Sequence, residues 1–174
     1  MISPTLQTKN YTIRPLNAND ISLWQLWDTD PKIQAYMPEP VNTAQTHQEH
    51  LEYLSECEKD VNGYYWSIET RDGITIGTVS LTEINFHHKT AEIGIVIGNQ
   101  DYWGKGVATE IISELIAYSF KNLDIAYTQA EVEVDNIPMQ KVLEKVGFKK
   151  DGIFEKARIK NGHRINVVHL SIAV

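Results

Sequence analysis

Cysteine is all but missing from this chain of 174 residues: Cys57 stands alone, so no internal disulfide can form, and a reducing, cytoplasmic location is expected. Long apolar runs are missing too. None approaches the roughly 18 residues of a membrane-spanning helix, and no charged-then-apolar leader opens the chain, which argues against a membrane partner and against secretion. The Asn10-Tyr11-Thr12 sequon is therefore read as incidental. Positive charge is scarce, 16 Lys and Arg facing 23 Asp and Glu for a formal net charge of -7. A nucleic-acid partner, which calls for a basic face, is disfavoured, and a cationic ligand fits the balance better. No linker-like stretch, repeat or low-complexity segment interrupts the sequence. Residues 1–174 read as one domain, long enough to bury a core without staples.

What the chain does contain is a run from Gly98 to Glu110, GNQDYWGKGVATE, that joins an apolar strand to a helix through a Gly-x-Gly turn. Gly104 and Gly106 permit a tight backbone path with several N–H groups facing one point. Val107, Ile111, Ile112, Leu115 and Ile116 then recur at helical spacing. A helix N-terminus offers unpaired N–H donors and partial positive charge, so a phosphate or pyrophosphate would sit there favourably, with Lys105 close by. Two better-known phosphate loops fail on spacing. A P-loop has four residues between its first Gly and Gly-Lys, whereas five separate Gly98 from Gly104. The third glycine of the dinucleotide fingerprint would fall at Thr109.

A second signature begins at Tyr127. YTQAEVEVDN reads as a strand with alternating Ala130, Val132 and Val134; after Asn136, IPMQKVLEKVGF reads as a helix with Pro138 in its first turn and Gly147 at its stop. Together the two motifs resemble the GNAT superfamily of acetyl-CoA-dependent N-acetyltransferases, particularly its RimJ/RimL-like branch, over most of the chain from Tyr11 onward. The resemblance implies an α+β fold: a mixed, mostly antiparallel sheet of about six or seven strands, helices on both faces, and a parallel strand pair splayed at one end. Acetyl-CoA is the implied co-substrate, with no metal. By the same resemblance Ile95, Val96 and Ile97 contact the pantetheine arm and acetyl group, and Asn136 hydrogen-bonds the pantetheine. Trp103, Gly104, Lys105, Gly106, Val107, Ala108 and Thr109 face the pyrophosphate. Such proteins wall the acceptor pocket with the first helix and the loop after it, which nominates Trp24, Tyr36 and Met37. The chain departs from the family pattern at Asp101, where Gln or Arg is usual, and at Leu143 and Met139, where a Tyr or Ser hydroxyl often stands.

Elsewhere, Lys9 to Leu16 alternates as a strand, and Asn19-Asp20 caps a helix with Ile21, Leu23, Trp24, Leu26 and Trp27 on one broad apolar face. The segment from Asp30 to Val41, with Pro31, Pro38 and Pro40, reads as a loop. Thr43 to Lys59 reads as a helix contacting the core through Leu51, Tyr53 and Leu54, with His47 and His50 at its surface. Tyr64 to Thr70, Ile74 to Ile84 and Ala91 to Ile97 form an antiparallel meander, with Gly94 compatible with a bulge.

Acetyl transfer to an amine needs a neutral nitrogen. An α-amine with pKa near 8 is roughly 10 % neutral at pH 7, whereas a lysine-like amine near 10.4 costs about 3 kcal/mol more to deprotonate. Glu83 and Glu92, near facing ends of adjacent strands, are the candidate bases; a raised pKa or a water relay is required of either. His87, in the bend between those strands, borders the expected acceptor site. The acceptor implied by the resemblance is a protein N-terminal amine, or a small amine such as a polyamine, because INFHHKTAE is similar to the corresponding stretch of spermidine acetyltransferases. A catalytically idle acyl-CoA sensor of the same fold is the competing reading. A homodimer is compatible with the sequence, which sets no oligomeric state.

Overall fold

The computed structural model describes residues 1–37 and 45–174. Two short strands, β1 (Leu6–Gln7) and β2 (Tyr11–Pro15), form a hairpin, and β2 runs antiparallel to β3 (Tyr64–Thr70). β4 (Thr75–Asn85) and β5 (Thr90–Ile97) continue the expected meander. β6 (Tyr127–Glu133) joins β5 in parallel, and the hairpin of β7 (Lys149–Lys160) and β8 (His163–Ala173) closes the far edge. The result is one eight-stranded sheet of order β1-β2-β3-β4-β5-β6-β8-β7. It exceeds the expected six or seven strands partly because β1, two residues long, is too short to leave a periodic signal.

Among the described residues five helices accompany the sheet: α1 (Ile21–Asp28), α2 (Pro31–Gln34), α3 (His47–Lys59), α4 (Val107–Asn122) and α5 (Ile137–Val146). A single turn of tighter helix, Ala18–Asp20, precedes α1 and is capped by Asn17 rather than by Asn19-Asp20. Pro31 opens α2 instead of interrupting it, because a first-turn residue needs no N–H partner. Thr46 and Glu49 form a capping box at α3, so its described start is His47; Pro38, Pro40 and Thr43 lie outside the described residues. No described helix is long and apolar enough to cross a membrane.

Strand alternation sends side chains to two faces. Val79, Leu81, Ala91 and Ile93 join α4 residues Ile111, Ile112 and Leu115 in one buried cluster with Leu143 of α5. Burial of each large aliphatic side chain there stabilises the fold by about 1.5–3 kcal/mol. The intervening positions Thr78, Ser80, Glu92, Gly94 and Val96 look the other way, toward α1 and α3, whose Ile21, Trp24 and Leu54 make a second, smaller cluster. Leu26 at 64 % and Tyr53 at 46 % exposure do not share in it, so the apolar faces of α1 and α3 are narrower than the sequence implied.

One polar cluster fixes α1 to the sheet. Asp20, 1 % exposed, accepts hydrogen bonds from Arg14 at 2.6 and 2.8 Å and from the Ser67 hydroxyl at 2.7 Å, while Arg14 also pairs with Glu69. Burial alone would raise the Asp20 pKa; the Arg14, Ser67 and Asn17 hydrogen bonds outweigh it and hold the carboxyl below its ordinary value.

Candidate active site

β5 and β6 pair over only three rungs, Thr90 with Tyr127, Ala91 with Thr128 and Glu92 with Gln129. Beyond Glu92 the two strands part: residues 93–97 pair only with β4, and residues 130–133 only with β8. The facing edges keep backbone donors and acceptors without a partner strand, a cost that an inserted chain of amides would offset. Glu92 therefore sits at the crotch of a fork. Gly94 continues the regular register against Ser80, and the irregularity falls instead between Thr82 and Asn85.

The Gly-x-Gly turn lies where β5 ends. Gly104 (φ 70) and Gly106 (φ 81) are both left-handed, and a side chain added at either would meet open space within 4 Å. Gly106 caps α4 with no side-chain hydrogen bond, leaving the N–H groups of Val107, Ala108 and Thr109 directed out of the helix end. An anion fits this cradle by chemistry and by room. Lys105 stays at the turn, its ammonium 5.4 Å from the Tyr102 ring centre, whereas Asp101 is exposed. The Trp103 indole N–H donates to the Ile97 carbonyl at 2.7 Å, tying the turn to the last residue of β5. Glu110 holds the same helix end to the β1–β2 hairpin by accepting the N–H and side-chain amide of Asn10 at 2.7 and 2.8 Å. Gly98, also in this stretch, is covered by Trp27: a β-carbon there would come within 2.1 Å of the indole.

A cavity of about 510 Å³ opens between the fork and α1, α2, α3 and α5. Of the residues nominated from the sequence, it gathers Trp24, Tyr36, Met37, Glu92, Ile95, Val96 and Asn136. Asn136 lines the cavity, and its side-chain oxygen accepts from Met139 N–H to cap α5. Glu92 is half-buried and accepts a hydrogen bond from Gln129 at 3.3 Å. Burial is the largest influence on its pKa and raises it; the Gln129 hydrogen bond opposes, the charges of Glu83 and Glu131 raise it further, and Arg158 opposes, with a net upward shift.

Two nominated residues lie elsewhere. Glu83 occupies the irregularity after Thr82 with φ 50, and this extra residue turns its side chain to solvent, outside the cavity lining. His87 is exposed in the β4–β5 turn, its N–H held by Asn85, and it meets His88 edge-on, outside the cavity lining. Ile97 packs on the core and Trp103 to Thr109 form the separate cradle at the far end of β5.

The cavity also includes residues that the sequence did not single out for it. His50, expected at the surface, is 4 % exposed and stands 3.0 Å from Asp28, across the cavity from β5. Its spacing from Leu54 and Cys57, four and seven residues on, was the available signal, since those positions share one helix face. Glu131 and Arg158 line the wall as an ion pair, and Lys160 pairs with Glu133 while also donating to the Ala35 carbonyl. Arg158 and Lys160 of β7 are thereby neutralised by carboxylates of β6.

Residues 10–149 match the family model described as "Acetyltransferase (GNAT) domain". An uncharacterized N-acetyltransferase p20 of Bacillus licheniformis is 30% identical over 172 residues, covering 97% of this chain and 95% of that protein. The spermidine N(1)-acetyltransferase of Escherichia coli K12 is 27% identical over 165 residues, 92% of this chain and 84% of that protein. Among solved structures, the spermidine N-acetyltransferase of Vibrio cholerae, in complex with CoA and spermine, superposes with TM-score 0.85 at 26% identity, covering 94% of this chain and 95% of that one. Mycobacterium smegmatis RimJ, in complex with CoA-disulfide, superposes with TM-score 0.88 over 98% of this chain and 87% of that one; at 17% identity it shares the fold.

Proposed function

This chain belongs to the GNAT acetyltransferase family, and from that premise we propose that it moves the acetyl group of acetyl-CoA directly onto a primary amine held beside Glu92. The observation that carries the reading is the position of Glu92 at the last rung before β5 and β6 part, on the same strand that leads into the Gly104–Gly106 cradle. One strand thus connects a diphosphate grip, an open amide edge and a carboxylate base. Acetyl-CoA supplies the thioester. The chain's own work is to align it with the free edge of residues 95–97, whose backbone N–H groups polarise the carbonyl, and to receive the amine proton at Glu92, directly or through water.

No hydroxyl comes from Leu143, which is fully buried, or from Met139, which lines the cavity. The Tyr65 hydroxyl donates to Asp60 at 2.7 Å, and burial and that carboxylate hold the phenol well above its usual range. Departure of the thiolate without an acid accords with its own pKa near 8.5. The acceptor is a protein N-terminal amine or a small amine. A polyamine acceptor is the second reading, favoured by the carboxylates of Asp28, Glu92, Glu131 and Glu133 around the cavity and by the spermidine acetyltransferases among its relatives. The ion pairs of Glu131 with Arg158 and of Glu133 with Lys160 subtract from that acidity. The test is thiol release from acetyl-CoA with a panel of amines and N-terminal peptides. Release with at least one class is expected; heat protection by coenzyme A without release from any acceptor would return the idle sensor.

A further inference from the structure

Four carboxylates line the cavity, and three of them are already answered by basic side chains of the chain itself. Asp28 has the His50 ring nitrogen at 3.0 Å, Glu133 has Lys160, and Glu131 has Arg158 at 2.5 Å. Among the described residues Glu92 alone lacks an ion-pair partner; Gln129 is its hydrogen-bond donor. The three pairs are not alike. Those of Asp28 and Glu133 are nearly buried, and Lys160 is tied further to the Ala35 carbonyl. Arg158 and Glu131 keep 28 % and 31 % of their side chains exposed, and a single hydrogen bond from Nη2 to Oε2 joins them. Both line the cavity, and Arg158 is the one Lys or Arg among the described residues to do so.

Gln129 stands opposite Glu92 on the last rung of the fork, and Glu131 follows two residues on, on the same face of β6 and about 7 Å further along. A short diamine with its first nitrogen at Glu92 would bring its second within reach of Glu131. Both charges of the pair are felt at Glu92, whose carboxyl is raised chiefly by burial, raised further by Glu131 and opposed by Arg158. We propose that Arg158 is a specificity-determining residue: it occupies Glu131 and so denies the acceptor a second anionic subsite. The proposal rests on the acetyl-transfer reading and selects, among its acceptors, those with a single ammonium. With Glu131 taken, one unpaired negative charge is left for one cation, as a peptide N-terminus or a monoamine supplies. A di- or polyamine must bring its second ammonium up to the guanidinium or displace it from its carboxylate, and either is opposed.

The experiment is calorimetric binding to the protein saturated with coenzyme A, which needs no turnover. The probes are cadaverine and n-pentylamine, the same carbon chain without the distal amine. Wild type is expected to bind the two within about threefold of each other. Arg158→Gln frees Glu131 and should shift the ratio about tenfold toward the diamine, whereas Glu131→Gln leaves Arg158 unpaired and should shift it about tenfold the other way. The double variant, with neither charge, and Arg158→Lys, which keeps the pair, should both lie within about threefold of wild type. A ratio cancels what the same charges do at Glu92, since that acts on both amines alike. A purely structural role would not give shifts of opposite sign. Shifts of the same sign, no shift in either single variant, a double variant that keeps either shift, a wild-type preference for the diamine, or no binding of either amine overturns the role of Arg158. Absence of thiol release from every amine speaks instead against acetyl transfer, and the binding ratios still decide Arg158.

Discussion

Glu92 and Glu83 differ by environment, although both are strand-end glutamates in sequence. Glu92 is half-buried at the fork and shifted upward; Glu83 is exposed on a bulge and acts on Glu92 as a neighbouring charge. Only the ionised form of Glu92 can take a proton, so the acid limb of kcat/KM should lie above the ordinary carboxylate value of about 4.3. Glu92→Gln is expected to lower kcat by roughly 10²- to 10⁴-fold, remove that limb and leave coenzyme affinity unchanged. The same change should raise the melting temperature at pH 7. A carboxyl whose folded pKa is raised opposes folding once pH passes through its unfolded value, with the full penalty above its folded value. Glu83→Gln should leave kcat near wild type and move the acid limb downward, because one raising charge is gone. A pH–rate profile of the three proteins checks all of this. Cys57 offers no competing chemistry: burial pushes its thiol up to about 11, so it stays protonated.

At the scale of elements, the start and the buried face of α4 were legible. Val107, Ile111, Ile112, Leu115 and Ile116 are buried as their spacing required, and the left-handed Gly104 and Gly106 stand where the turn demanded them. Gly106→Val should weaken coenzyme binding at least tenfold, since it fills the cradle and strains a left-handed residue by about 1–2 kcal/mol. Gly73→Ala is the control. It has φ 79 and open space like Gly106 but lies in the β3–β4 turn, so it should lower stability without touching coenzyme affinity. The anchor of α1 was not legible, because Asp20 looks like a helix cap in sequence and becomes the buried partner of Arg14 only when β2 and β3 pair. Asp20→Ala should cost about 3 kcal/mol by removing the bidentate partner of Arg14, which keeps only Glu69, and by leaving the Ser67 hydroxyl without its acceptor; that is roughly 6–12 °C in melting temperature. The depressed Asp20 pKa fixes the sign with pH. Its contribution is complete above the unfolded value of about 3.9 and disappears as pH falls through the lower folded value, so wild type and variant should converge in melting temperature only in strong acid.

The whole molecule is a sheet opened along one seam, and ligand binding should close that seam energetically. Coenzyme A at a hundred times its dissociation constant should stabilise the fold by about 2.7 kcal/mol, or roughly 5–10 °C in a calorimetric scan. Gly106→Val should forfeit most of that gain while keeping a cooperative transition. Absence of any shift with the wild-type protein would count against the cradle, because its free N–H groups and open space would then have no ligand.

Sequence by itself determined what short-range physics controls: the α+β class, the meander of β3 to β5, the turn into α4 and the capped start of α5, each written in a period, a glycine or a cap within a few residues. The splayed parallel pair was expected only through the family resemblance; where it opens was decided by the tertiary structure, since β5 and β6 are separated by the whole of α4 and the length of their pairing depends on what packs on either side. Tertiary structure also decided that Glu92 faces the cavity while Glu83 leaves it, and that His50 is buried beside Asp28 and Trp24. A bulge of one residue reverses which way a side chain points, and burial of a polar helix position depends on a partner distant in sequence. No local pattern records either.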